Sequence, residues 1–504
     1  MALTLRNPAA WVLFCVTSLG WAAPDPTHWV PARWEGGPLE VARRGKADDR
    51  VRETLAKWYE PSSLDLLENT PINCLLVTFS IGAPSAVEAL QQQVVKEYAR
   101  SARKRGIAVL GVVYPGTAVS SVAMAATDAQ LDGLVLDGEF PADFTADLAR
   151  HYPGIVIPIA HDAASVRASS APLLAVQGVR PIARDLADMG IRAGASAEPW
   201  IDSNIWLVRS FRFGADWRPI WVDQEPNPAS EGDYIRCVAD AAVAGGRWIV
   251  ALDDDLRVNL FHRNADALGA WRRMGAYLKF AEDHAEWRQF APFGNLGIII
   301  DNGDLDEYLN LIARRQVPYR LIRRNELSAA SLAGFRAVAA FAVPTEAERK
   351  ILRDFAEKGG GVVVAGPSWG DAPKDDPYAE APLGKGRVVV YKEEPPDPEA
   401  VAKDMQDLLP PEVIGLNTFN VPSAITYAST SDGGKRVLIQ LLNYAGRPIE
   451  RITLRFNGVF KQARLYTPEN APVDLVSTEA QKGRTEVLIP NLAAWGAVLL
   501  EQRN

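Results

Sequence analysis

The sequence predicts an α/β chain: a TIM (β/α)8 barrel, then a flavodoxin-like α/β domain, then a small antiparallel β-sandwich. Three observations carry this. From about residue 50 to residue 290, short apolar runs alternate with helical ones, as in a parallel sheet covered by helices. A second, shorter alternation begins near Gly294. From about Ile414 the chain holds only strand-like stretches between turn residues. At 504 residues the chain is too long for one ordinary core. We expect a signal peptide over residues 1–22, the barrel over 23–292, the middle domain over 293–398 and the sandwich over 399–504.

The first segment has a positive charge at Arg6, an apolar stretch from Ala9 to Leu19, small residues at Gly20 and Ala22, and Pro24 beyond them. That pattern reads as a cleaved secretory signal, too short for a comfortable membrane span. It implies a secreted or periplasmic protein with no membrane anchor after cleavage. Removing it takes away one Arg and no acid, moving the formal charge from -8 to -9. A mildly acidic chain has no electrostatic footprint for nucleic acid. Beyond Cys15 only Cys74 and Cys237 remain, both in apolar surroundings. The core, not a disulfide framework, must therefore supply stability.

Within the barrel the expected strands are Asn73–Phe79, Ile107–Tyr114, Gly133–Glu139, Ile155–Ala160, Leu173–Gln177, a weak one at Ile191–Ser196, Pro219–Asp223 and Trp248–Leu252. An early strand around His28–Trp34 would shift the count by one. Helices are expected at Ala86–Arg105, Asp233–Ala244 and near Asn264–Arg288. In the middle domain, Gly297–Asp301 and Val362–Gly366 read as buried strands. Helix Thr345–Lys358 starts at an N-cap threonine and ends at Gly359-Gly360-Gly361. A Pro- and acid-rich stretch, Asp371 to Pro398, blurs the edge of this domain. In the last domain, Val437–Tyr444, Ile452–Phe456 and Thr485–Ile489 alternate or run apolar as sandwich strands do.

Barrel chemistry sits at the C-terminal ends of strands. Three ends are acidic: Asp137-Gly138-Glu139, Asp223-Gln224-Glu225 and Asp253-Asp254-Asp255. By the two-residue period, Asp137 and Glu139 share a face, and Asp223 and Glu225 share a face with Trp221. Two carboxylates from different strands are what glycoside hydrolysis needs: one protonates the leaving oxygen, the other attacks the anomeric carbon or activates water. The candidate pair is one of Asp137 or Glu139 with one of Asp223 or Glu225; which member is the acid stays open. The competing reading makes these acids loop caps of the following helices. Asp254 and its neighbours can orient sugar hydroxyls, hold a hard cation, or form a solvated loop. Glu198, Trp200, Asp202 and Asn204 look like a substrate-facing loop in which Trp stacks on sugar and the polar groups bind hydroxyls. Asp202 or Ser203 can equally cap helix Asn204–Phe213. Tyr114, His161 with Asp162, Gln177 and Arg180 also stand at strand ends.

No histidine pair has H-x-H or H-E-x-x-H spacing, and no G-K-[S/T] follows the glycine run. These absences argue against zinc and phosphate-loop chemistry. No cofactor is expected. The expected partner is a carbohydrate.

The order of parts resembles β-galactosidases of glycoside hydrolase family 42. Gly297-Ile298-Ile299-Ile300-Asp301, Gly359-Gly360-Gly361-Val362-Val363-Val364, Leu442-Asn443-Tyr444 and Ile489-Pro490-Asn491-Leu492 support it. The resemblance implies a middle domain like a glutamine amidotransferase without its activity, which packs subunits into a homo-oligomer. Ala365-Gly366-Pro367-Ser368 indeed supplies no nucleophilic Cys there. The catalytic motif departs from the family, whose fourth strand ends in Asn-Glu. The only Asn-Glu here, Asn325-Glu326, lies in the middle domain. Leu131-Asp132-Gly133-Leu134-Val135-Leu136-Asp137 instead resembles the D-G-hydrophobic-D strand of other barrel hydrolases, whose last Asp is often catalytic. The expected function is a secreted hydrolase of glycosidic bonds. The alternatives are a non-catalytic carbohydrate-binding protein and an envelope structural protein assembling through the middle domain.

Overall fold

The computed structural model describes residues 25–502 apart from 162–164, 166–168, 185–199, 215–217, 226–229, 302–304, 367–368, 370–377, 393–396, 422 and 482. The expected signal segment lies outside the described residues. No helix among the described residues is long and apolar enough to cross a membrane.

Eight parallel strands form the first sheet: β1 (Pro31–Arg33), β2 (Cys74–Ser80), β3 (Ala108–Val113), β4 (Gly133–Leu136), β5 (Ile155–Ala160), β6 (Leu174–Gln177), β7 (Ile220–Asp223) and β8 (Arg247–Trp248). The sheet closes on itself. Just past β8, Val250 bridges Ala32, with Arg33 N–H donating to the Val250 carbonyl at 2.7 Å and Val250 N–H to Pro31 at 3.0 Å. This is a TIM barrel. Its membership corrects one expectation. β6 pairs directly with β7, Leu174 opposite Ile220; the segment expected as a sixth strand, Ile191–Ser196, lies outside the described residues. The early segment supplies the eighth strand instead, as β1.

The two-residue period divides the strands cleanly. Inward residues of β2–β7, including Leu76, Leu110, Val135, Ile157, Ala175 and Trp221, fill the interior together with Ile249. Trp29, before β1, packs against Trp221 with ring centroids 6.4 Å apart. Alternate residues such as Val77, Val109, Leu134, Val176 and Val222 face the covering helices. Trp221, expected at the substrate, is thus fully buried core. The helices fall close to their expected places, at Ser85–Arg103, Glu231–Val243 and Ala265–Asp283.

The middle sheet has strand order 319–323, 296–300, 337–340, 361–365, 386–391 and 378–383, all parallel but the last. Its first four strands follow the flavodoxin order 2-1-3-4. Thr345 caps helix Glu346–Glu357 through a reciprocal box with Glu348. The blurred acidic stretch contains a hairpin, Tyr378–Leu383 with Gly386–Tyr391, which its prolines and charges hide. The last sheets are antiparallel, six strands facing four across an apolar core that includes Ile439, Leu454, Ile489 and Val498.

One contiguous core runs from the barrel into both later units. At its seam Tyr444 buries its hydroxyl against Asp240 Oδ1 at 2.6 Å, and the carboxylate also accepts from Ser203 Oγ and Asn204 N–H at 2.7 Å each and from Asn204 Nδ2 at 2.9 Å. Burial raises the Asp240 carboxyl above its ordinary value, opposed by these hydrogen bonds. A raised acid stabilises the fold below its unfolded value, and that contribution is lost as pH rises through the folded value. Tyr444→Phe removes one donor from a buried carboxylate and should cost about 1–3 kcal/mol. Chemical denaturation should show that loss widening as pH rises through the Asp240 titration.

Candidate active site at the barrel mouth

The inward phase that places Leu110 and Val135 in the core continues, at the C-terminal ends of the strands, into polar residues. β1 contributes Arg33, and Glu35 follows two residues on. Tyr114 follows β3, Asp137 follows β4, and Asp223 ends β7. They meet. Arg33, 4 % exposed, forks onto Asp223, with Nε donating to Oδ1 at 2.8 Å and Nη2 to Oδ2 at 2.5 Å. The same Nη2 donates to Asp137 Oδ2 at 2.8 Å, and Nη1 to Glu35 Oε1 at 3.1 Å. The acids after β4 and β7 therefore gather in one place, joined through a residue that the strand-end search passed over.

A short helix after β1, Gly37–Arg43, extends the network. The spacing of Glu40, Arg43 and Arg44 puts all three on one face. Arg43 and Arg44 both bind Glu40, at 2.9 and 2.6 Å, and reach Glu35 Oε2 at 3.5 and 3.3 Å. Thr78 Oγ1 donates to Glu40 at 2.9 Å, and Tyr114 Oη to Glu35 at 3.1 Å. The Arg43 guanidinium lies 4.9 Å from the Tyr114 ring centre. Burial alone would raise the Glu35 carboxyl, but Arg33, Arg43, Arg257 and Arg44 outweigh it and hold it down to about 2. Burial, then the Glu35 charge, pushes the Tyr114 phenol up.

Glu225 is the exception among these acids. It is exposed beyond β7, and no ion pair engages it among the described residues. The protein mass around it still raises its carboxyl above the ordinary value. Desolvation is the first cause and the Glu35 charge the second, with Arg33 and Arg44 opposing. Asp137 keeps 22 % of its side chain exposed, against 6 % for Asp223. Glu139 does not stay on the strand face with Asp137. β4 ends at Leu136, and Gly138 adopts φ +119, where a Cβ would come within 2.9 Å of Pro115. The chain turns there and leaves Glu139 exposed.

The other expected site residues lie elsewhere. Asn204 is buried. Its Nδ2 donates to the Val179 carbonyl and to Asp240, and its Oδ1 accepts from Val179 N–H. Buried, with both amide N–H groups and an oxygen lone pair engaged, it is closed to a sugar, which corrects its expected substrate role. Trp200 donates to Asp202 at 2.8 Å on a hairpin covered by Arg314 of the middle unit, so both serve that seam. Glu198 and Asp162 fall outside the described residues. Asp254 accepts from Arg44 at 2.5 Å, Asp253 caps helix Asp254–Phe261, and Asp255 is exposed. Among the described residues, no group of three or more His, Cys, Asp or Glu side chains converges as a metal site. Gln177 donates to the Asp223 carbonyl at 3.1 Å, Arg180 pairs with Asp233 at 3.0 Å, and His161 is exposed after β5. Sequence reasoning missed Arg33, Glu35, Glu40, Arg43, Arg44 and Arg257. The available signal was the i, i+2 phase of Pro31-Ala32-Arg33-Trp34-Glu35 on a strand too short to stand out.

No protein-family model matches this chain, and no curated protein matches it. Solved structures do. The α-L-fucosidase isoenzyme 2 of Paenibacillus thiaminolyticus aligns with a TM-score of 0.56 at 11% identity, over 88% of this chain and 96% of that one. A catalytic mutant of a GH42 β-galactosidase from G. stearothermophilus aligns at 0.50 and 9% identity, over 95% and 99%. The layout of this chain is thus like that of GH42 β-galactosidases along nearly its whole length. At these identities the likeness is one of fold.

Two outcomes test the charge network. Arg33→Met leaves buried Asp223 without its cation and takes one partner from Asp137 and from Glu35, and should destabilise the protein by about 3–5 kcal/mol in denaturant unfolding. The depressed Glu35 contributes stability that is present above its unfolded value and lost as pH falls toward about 2. Stability measured from pH 5 downward should therefore fall less steeply in Glu35→Gln than in the unaltered protein.

Proposed function

We propose that this chain is an exported glycoside hydrolase in which Glu225 is the general acid and Asp137 the opposing carboxylate. The observation that carries the assignment is Glu225. Among the mouth acids of the described residues, it is the one that is solvent-open, unpaired and raised above its ordinary value. Such a group holds a proton to deliver where a paired acid does not. Asp223 is set apart as a structural anion by its two-pronged bond to Arg33. Asp137 uses only Oδ2 in the network; its Oδ1 accepts no hydrogen bond among the described residues. The strand numbering supports the choice. With Pro31–Arg33 as the first strand, Asp137 follows the fourth, the strand that ends in the family 42 Asn-Glu pair.

In the reaction, the Glu225 proton passes to the glycosidic oxygen as its bond to the anomeric carbon breaks. Asp137 then either bonds to that carbon, to be displaced by water, or takes the proton of a water that attacks it. Glu225, left as carboxylate, regains a proton from that water or from solvent. Arg33 positions Asp137 and has no proton to give. The substrate is an oligo- or polysaccharide, met outside the cytoplasm if residues 1–22 act as an export signal.

A non-catalytic carbohydrate-binding role is the second reading. It is favoured by Arg33 holding Asp137 as well as Asp223. A panel of glycans and aryl glycosides separates the two. For a hydrolase, Glu225→Gln and Asp137→Asn should each lower turnover by about 100-fold or more while sugar binding persists. The rate should fall as pH rises through the raised Glu225 value, and Glu225→Gln should lose that alkaline limb. Saturable sugar binding with no hydrolysis across the panel would establish the binding protein.

A further inference from the structure

Away from the mouth, where barrel, middle unit and sandwich meet, lies a cavity of about 420 Å³, within the usual range for small-ligand sites. Among the described residues, five arginines line it, from helix Ile205–Gly214, the turn after helix Ala265–Asp283 and strand Tyr319–Arg323, and no Asp or Glu does. Two of the five, Arg288 and Arg323, have carboxylates behind them, Glu282 at 2.6 Å and Glu326 at 3.5 Å. Arg209 and Arg320 are different. Buried Arg209 donates to the Tyr319 carbonyl at 2.6 Å and lies over the Tyr319 and Tyr427 rings, 3.6 and 5.0 Å from their centres. Arg320 donates to the Gly294 carbonyl at 2.8 Å and sits 3.9 Å from the Phe335 ring centre. Carbonyl dipoles and ring faces stand where a counter-ion would be. Burial, with no opposing charge, lowers the Arg320 value. At the mouth every arginine of the network meets a carboxylate.

A low-dielectric pocket with excess positive charge attracts an anion. The remaining wall is mostly apolar, broken by His284 and Gln440, and Trp287, Phe290, Tyr427 and Trp495 contribute ring surface. Such surfaces stack a planar body behind a charged head. We propose that this cavity binds a small organic anion, a carboxylate, sulfate or phosphate carried on a flat ring. The site is independent of the mouth and of the reaction assigned there.

The test is calorimetry on the full chain with phenyl phosphate, benzoate, inorganic phosphate and benzyl alcohol. Phenyl phosphate or benzoate should bind saturably at one site per chain, and which of the two binds tighter identifies the head group. Inorganic phosphate and benzyl alcohol should each bind at least about ten-fold more weakly, since each lacks one half of the recognition. Arg209→Gln should weaken the anion by about ten-fold or more. Ala291→Trp, at an exposed lining position, should block the cavity without disturbing the core, and it decides the matter if Arg209→Gln does not fold. Asp137→Asn should bind the anion as the unaltered protein does. No saturable binding of either organic anion, binding that survives Ala291→Trp, or binding lost in Asp137→Asn would overturn the proposal.

Discussion

Arg33 reaches from a three-residue strand to the ends of β4 and β7. Its burial is costly in isolation, because a guanidinium leaves water only if its donors find acceptors. Here they do, through Asp223, Asp137 and Glu35. The converse also holds. Asp223 and Glu35 are nearly inaccessible, and each would be an uncompensated buried charge without a cation. The cluster is therefore mutually obligatory. It ties β1, the strand whose bridge to Val250 closes the barrel, to the strands that carry the candidate chemistry.

The same arithmetic limits which acids can work. Sharing Nη2 of Arg33 brings Asp137 Oδ2 and Asp223 Oδ2 closer together than the sum of their two distances to it. Two carboxylates that near each other are held by the cation between them, so their closeness is not that of a carboxyl pair sharing a proton. The upward shift of the Glu225 carboxyl has other causes. Desolvation at the rim comes first, and the Glu35 charge adds to it. The mouth acids thus divide into those held in ion pairs with arginine and Glu225, which no ion pair engages among the described residues.

The layout of the parts was legible because it rests on many residues. Alternating runs such as Leu134-Val135-Leu136 and Val362-Val363-Val364 repeat a signal that no single substitution erases. The placement of Asp137 and Asp223 was legible too, since strand phase extends naturally to the strand ends. Three failures have separate causes. β1 is three residues long and lacks a distinctive apolar run, so Arg33 was hidden in what looked like a leader to the barrel. Gly138 broke the phase that would have kept Glu139 beside Asp137. Asn204 and Trp200 have sugar-binding chemistry, yet the partners that consume them, Asp240, Val179 and Arg314, come from chain segments between about 20 and 115 residues away, which spacing does not reveal.

That distinction explains how a likeness of fold survives at 9 to 11% identity while chemistry does not follow from it. The lower levels of the barrel ask only for apolar volume, and Leu, Ile, Val or Trp satisfy them in many combinations. The upper level asks for matched charges in fixed geometry, where exchanging one residue forces its partners to change. Arg33 couples four strand-end or loop positions into one such unit. A homologue lacking it has to supply a different set of partners for the acids after β4 and β7, and with them a different division between structural and reactive carboxylates. The identity of the side chain at the end of β1 is thus the quantity on which relatives of this architecture should diverge in chemistry.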